Sequence, residues 1–188
     1  MKTQSQRIGW ITLPLMMVMI HFTSVCFAQE KGFTTQQMAN QSTSILYGKC
    51  TKVESAWTKE KDMIMTTVTI VPEYYLKGDL GTEVTVTVPG GQVDDIIYEI
   101  SEMPTFRRGE EVFTFLWVHP TGKTLVTGGF QGKMEIVEDK VTGIRTVAGR
   151  QLSTSTPRRT DAITSDQVRR ERRIPLEEFT SEIKGYLK

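Results

Sequence analysis

Thiols, imidazoles and long apolar runs are all scarce in this chain. It has two cysteines and two histidines in 188 residues, and Cys26 and His21 both fall within the first 28. That leaves Cys50 and His119 for the remainder. One thiol cannot close an internal disulfide, so stability must come from packing. One Cys and one His fall short of a zinc ligand set. No G-x-S-x-G elbow occurs to present a serine nucleophile. No charge of one sign dominates either, with 23 Lys+Arg against 22 Asp+Glu. That balance points to neither nucleic acid nor an anionic membrane surface.

The longest apolar stretch, "IGWITLPLMMVMI" (8–20), has 13 residues, short of the roughly 20 needed to cross a bilayer. Lys2 and Arg7 precede it, and "HFTSVCFA" follows and ends at Ala28. That is the order of a secretory signal peptide over 1–28, with cleavage expected between Ala28 and Gln29. Its length argues against a retained anchor. Val25 is bulky where a lipobox wants a small residue, which argues against a lipid on Cys26. Without Lys2 and Arg7 the chain carries 21 Lys+Arg against 22 Asp+Glu, a net charge of −1. The expected location is secreted or periplasmic, with no membrane span once the signal is removed.

What is present is β-prone. "FTTQQMANQST" (33–43) predicts a short helix capped by Thr34 or Thr35. "SILYGKCTKVESAW" (44–57) predicts a strand with a bulge at Gly48 and apolar slots at Cys50 and Val53. In 62–76, Ile64, Thr66, Val68 and Ile70 alternate with Met63, Met65, Thr67, Thr69 and Val71, and Pro72 marks an edge or bulge. "TEVTVTV" (82–88) has strict period two, with Val84, Val86 and Val88 inward. "GEEVFTFLWV" (109–118) is apolar on both faces and reads as central. Strands are also expected within 92–106 and at 124–130, 133–139 and 144–149. Residues 151–173 are polar and charged and predict a linker. Leu176, Phe179, Ile183 and Leu187 recur at helical spacing, so 174–188 predicts an amphipathic helix with Pro175 in its first turn. The domain over 29–150 is therefore expected to be all-β with flanking helices, its many short strands closed into a small barrel that leaves no free edge.

Three segments carry a resemblance: "ILYGKC", "YYLKGDLGTEVTVTVPGG" and "PTFRRGEEVFTFLWV". Their order and spacing over residues 44–137 resemble secreted bacterial proteins whose domain is similar to the netrin-like and tissue-inhibitor-of-metalloproteinase OB-fold. The resemblance implies a five-stranded Greek-key β-barrel of OB type, a fold that hosts many binding functions. Two departures limit it. Netrin-like inhibitors are rich in disulfides, and metalloproteinase inhibitors present an N-terminal cysteine to the protease zinc. Here one cysteine is expected in the mature chain and Gln29 at its N-terminus, so the fold carries over and that inhibitory mechanism does not.

Candidate chemistry is sparse. Cys50 and His119 are the types that a nucleophile pair needs, but Cys50 occupies an apolar strand slot and reads as a small buried hydrophobe. Asp94, Asp95, Glu99 and Glu102 cluster near a turn and could hold calcium, although no D-x-D-x-D-G pattern is present. "GGFQGK" (128–133) lacks the spacing of a phosphate loop and is explained by a tight strand connection. The basic run 158–173 is interleaved with acids and has no aromatic on which bases could stack. No cofactor and no metal is expected. The excursion after Pro89-Gly90-Gly91 is longer than an ordinary hairpin loop and places Asp94, Asp95, Ile97, Tyr98, Phe106 and Arg107 among apolar and charged neighbours. These are the expected contacts of a protein partner; the alternative is that Ile97 and Phe106 plug the barrel end. The expected function is a non-catalytic binding module. An enzyme or enzyme accessory using the acidic loop, and a structural envelope component, remain as alternatives.

Overall fold

The computed structural model describes residues 32–149 and 172–188. The expected signal segment, its cleavage site at Ala28–Gln29 and most of the expected linker lie outside the described residues. Helix α1 (Thr35–Gln41) is followed by β1 (Ser44–Trp57), β2 (Ile64–Lys77), β3 (Val84–Pro89), β4 (Gly91–Val93), β5 (Ile96–Tyr98), β6 (Glu111–Val118) and β7 (Thr124–Val126). A 3-10 turn (Gly129–Gly132), β8 (Lys133–Glu138), β9 (Arg145–Gly149), β10 (Arg172–Pro175) and α2 (Leu176–Tyr186) complete the order.

The strand order β1-β2-β3-β7-β6, with β6 returning to β1, closes a barrel of five strands. The β3–β7 contact is parallel and the other barrel pairs are antiparallel. This is a small Greek-key barrel of OB type with flanking helices. Strand β6 joins β1 along one edge, while its other edge is shared between β7 at 116–118 and β8 at 111–114. Strands β8, β9 and β10 therefore extend the sheet past the barrel. One of the three register shifts between β1 and β2 falls at Tyr47–Gly48. A side chain at Gly48 would meet the Val71 carbonyl and Pro72. Pro72 faces Gly48 at this irregularity, where its missing N–H interrupts no regular ladder.

Alternation sorts the side chains into two cores. Leu46, Cys50, Val68, Ile70, Val84, Val86, Val88, Val112 and Leu116 fill the barrel interior. Ile45, Phe113 and Phe115 point out of the barrel and pack with Met38 of α1, Ile136, Val147 and Leu176, Phe179 and Ile183 of α2. Strand β6 thus contributes to both cores, which is why both its faces are apolar. The Phe113 and Phe179 rings meet edge-on at 4.8 Å, a geometry that aromatic quadrupoles favour. Helix α1 starts on a capping box in which Thr34 and Gln37 each satisfy the other's backbone N–H.

Three boundaries differ from expectation. Pro175 is the N-cap of α2 and not its first turn, because its φ of −52° is combined with an extended ψ. Arg172 and Arg173, expected in the linker, pair with Gly149 and Ala148 in β10. The expected strand at 124–130 ends at Val126, since Gly128 and Gly129 take positive φ and lead into the 3-10 turn.

Candidate partner-binding loop

Residues 90–110 leave the barrel after β3 and return to it at β6. Their root is fixed by backbone geometry that only glycine tolerates. Gly90 and Gly91 have φ of 99° and 136°, and a side chain on Gly91 would collide with the Thr66 and Ser55 hydroxyls. The close approach is used: Thr66 Oγ1 donates to the Gly90 carbonyl at 2.6 Å and meets Ser55 Oγ at 2.8 Å, and Gly90 N donates to the Ile64 carbonyl at 2.8 Å.

From this root β4 and β5 form a two-stranded hairpin, with Gln92 opposite Ile97 and Val93 opposite Ile96. Asp94 and Asp95 make its turn, and Asp94 takes φ 53°, a left-handed conformation that Asp tolerates better than most residues. The returning strand β5 is apolar and open to solvent: Ile96 is 52% exposed, Ile97 62% and Tyr98 38%. Single exposed apolar residues are ordinary, but here Ile96 and Tyr98 open one face of the hairpin and Ile97 the other.

The return limb is pinned as firmly as the root. The Glu102 carbonyl accepts from Phe130 N at 2.8 Å, and Gly129 leaves no room for a side chain against that carbonyl. Pro104 is buried, and Phe106, 9% exposed, packs into the barrel interior. The two apolar residues that sequence treated alike therefore separate: Ile97 faces solvent, while Phe106 plugs the barrel and is unavailable to a partner. Arg107 and Arg108 are exposed at the exit, where Arg107 N donates to Glu110 Oε1 at 2.8 Å. The other Glu110 oxygen holds Lys133 Nζ at 2.9 Å, and the Lys133 ammonium lies 5.4 Å from the Phe106 ring centre. A cavity of about 630 Å³ lies between the hairpin and the barrel wall, lined by Ser55, Thr66, Tyr98, Glu99, Met103 and Thr105 among others.

The remaining candidates do not converge on this loop. Cys50 is fully buried, and burial first, then the nearby Glu110 carboxylate, push its thiol up to about 12, against a smaller lowering by Lys133. A thiol so placed stays protonated and unreactive. His119 lies in the turn after β6, its Nδ1 2.7 Å from the Thr121 hydroxyl. Among the described residues, Asp94, Asp95, Glu99 and Glu102 form no metal-holding group with each other or with any His or Cys. A cluster that sequence reading missed joins β2 to β9 and β6: Arg145 contacts both oxygens of Glu73 at 2.7 and 2.8 Å and Glu111 at 3.0 Å. Its members are far apart in sequence, so no local pattern signals it. Among the described residues no helix is long and apolar enough to cross a membrane. Compared with family models, curated proteins and solved structures, the chain matches none of them.

Proposed function

We propose that the chain is an exported, non-catalytic binding module that meets a protein partner through the β4–β5 hairpin. The observation that carries this reading is a rigidly rooted hairpin whose returning strand exposes Ile96, Ile97 and Tyr98. A loop held at Gly90–Gly91, Glu102 and Phe106 loses little conformational freedom when it is bound, so less of the contact energy is spent on ordering. Tyrosine beside aliphatic residues is a composition that interfaces favour. Asp94 and Asp95 at the turn and Arg107 at the exit supply a charged rim. Phe106 acts beneath this surface as its support.

The closed strand order supports the OB part of the likeness to netrin-like and metalloproteinase-inhibitor domains. With Cys50 the one free thiol among the described residues, the reading takes over neither a disulfide frame nor a cysteine presented to zinc. Export rests on the order of residues 1–28, and N-terminal sequencing of the mature protein should then read Gln-Glu-Lys-Gly.

The test of partner contact is a photo-activated crosslinker placed at Ile97 in the native host, with Val141, 94% exposed on a different turn, as control. The proposal expects one dominant protein adduct from position 97 and none from 141. Equal or absent crosslinking at both positions would remove the hairpin from consideration.

A further inference from the structure

A groove of about 550 Å³ runs over the outer wall of the barrel where β2, β3, β7 and β6 meet. Met65, Pro89, Trp117 and Leu125, each next in sequence to a buried or half-buried residue of its strand, line this groove, and Val88 and Val126 reach it from the barrel wall. Met103 and Pro104 of the excursion form its lip. Its volume lies within the range of about 300–1,000 Å³ typical of small-molecule sites.

The lining is divided by chemistry. The wall and lip are almost wholly apolar. His119, Thr121 and Lys123 come from a single turn that joins β6 to β7, and Thr87 of β3 adds one hydroxyl on the wall. No carboxylate lines this groove, whereas Glu99 and Glu102 line the cavity under the hairpin, and Glu73 and Glu177 line another beside α2. The turn is internally braced: His119 N donates to the Lys123 carbonyl at 2.8 Å, and Gly122 N donates to the His119 carbonyl at 2.8 Å. Because Thr121 engages His119 Nδ1, Nε2 is the ring nitrogen left to a ligand. The Trp117 and His119 rings meet edge-on at 5.3 Å and mark where the dry wall ends and the polar rim begins. Among the described residues Lys123 takes part in no ion pair.

We propose that this groove binds a single-chain anionic amphiphile, a medium-chain fatty-acid carboxylate. The chain lies against Met65, Trp117 and Leu125, and the carboxylate meets Lys123 and the Thr121 and His119 side chains. The ammonium and imidazole gathered at one end suit one anionic head and one tail. Ile96, Ile97 and Asp94 do not line the groove, so this proposal stands apart from the protein contact at the hairpin.

The test is calorimetric titration of the protein with octanoate, decanoate and dodecanoate, each below its micellar concentration. Each added methylene buried on the wall should tighten binding about fourfold. Dodecylammonium should bind at least about tenfold more weakly than dodecanoate, since its head meets Lys123. Lys123→Glu, on an exposed turn, should weaken dodecanoate binding by about tenfold or more with the melting temperature unchanged. Met103→Gln on the exposed lip should weaken all three acids, and it keeps the wall testable if a Trp117 variant fails to fold. The proposal is overturned by any of four results: no binding of the monomeric acids, equal binding of the ammonium, indifference to Lys123→Glu, or binding seen only with micelles or vesicles.

Discussion

At the scale of single residues, burial decides outcomes that sequence position alone leaves equal. Val86 and Thr85 are neighbours on β3, the first in the barrel interior and the second exposed. Val86→Asp should cost several kcal/mol, comparable to a whole domain's stability, by burying an unpaired carboxylate. Thr85→Asp should lower the melting temperature only slightly, and equal losses in the two variants would contradict the assigned faces. Thr114 lies on the same side of β6 as Val112 and Leu116, and its buried hydroxyl finds no partner. An unsatisfied buried hydroxyl costs about 1–3 kcal/mol, so Thr114→Val, which keeps the shape, should raise the urea midpoint; a fall would mean that the hydroxyl is satisfied. Cys50 should react slowly with a thiol reagent in the native protein and fast in denaturant. Its folded-state titration is raised from 9.0 to about 12, so its stabilisation is complete below pH about 9 and is lost as pH rises toward 12. Cys50→Ala should therefore be destabilised relative to the native protein at neutral pH by its cavity, and that difference should shrink above pH 9. A difference independent of pH would contradict a buried neutral thiol.

At the scale of elements, each segment was legible to the extent that its signal is local. Period two placed the inward valines of β3 and separated the two faces of β2 up to Val71, and Gly48 with Pro72 announced the irregularity in β1. Leu176, Phe179 and Ile183 at helical spacing announced α2 and its buried face. Phe179→Ala should lower stability by about 3–5 kcal/mol, read as a shift in urea midpoint at unchanged slope, because the ring fills space against Phe113 that nothing else can take. A loss below about 1 kcal/mol would mean that the helix does not seal the outer core. The parallel β3–β7 contact was not legible, since it rests on the pairing of Val86 with Thr124, and neither residue's neighbours encode that partner. Within the excursion, alternation is absent and Ile97 and Phe106 look alike. The Gly129 approach to Glu102 and the burial of Pro104 separate them, and both are tertiary facts. Alternation separates Met65 from Ile64 and Thr66, but its meeting with Trp117 and Leu125 in one groove requires the strand order.

At the scale of the whole molecule, closure of the barrel leaves its five strands without a free edge, and the two helices cover the outer face that Ile45, Phe113 and Phe115 would otherwise expose. The Glu73–Arg145–Glu111 cluster then ties the extension strand β9 to the barrel. Arg145, through its hydrogen bonds, holds the Glu73 carboxyl below its usual range. The small stabilisation that results is present above the ordinary carboxylate range and is lost as pH falls through the lowered one. With Cys50 sealed, the exposed apolar surface on the excursion is Met103 at the groove and Ile96, Ile97 and Tyr98 on the hairpin, and the account's central claim is that the hairpin is a contact surface. The most direct measurement is the affinity of the crosslinked partner, once identified, for a chain carrying Ile97→Asp with Tyr98→Ala, compared with Val141→Asp. The account predicts a loss of at least about tenfold for the hairpin variant, the order expected when a central anchor is removed, with unchanged affinity for the control and unchanged melting in both. Equal affinity of the two variants, each folded, would contradict it.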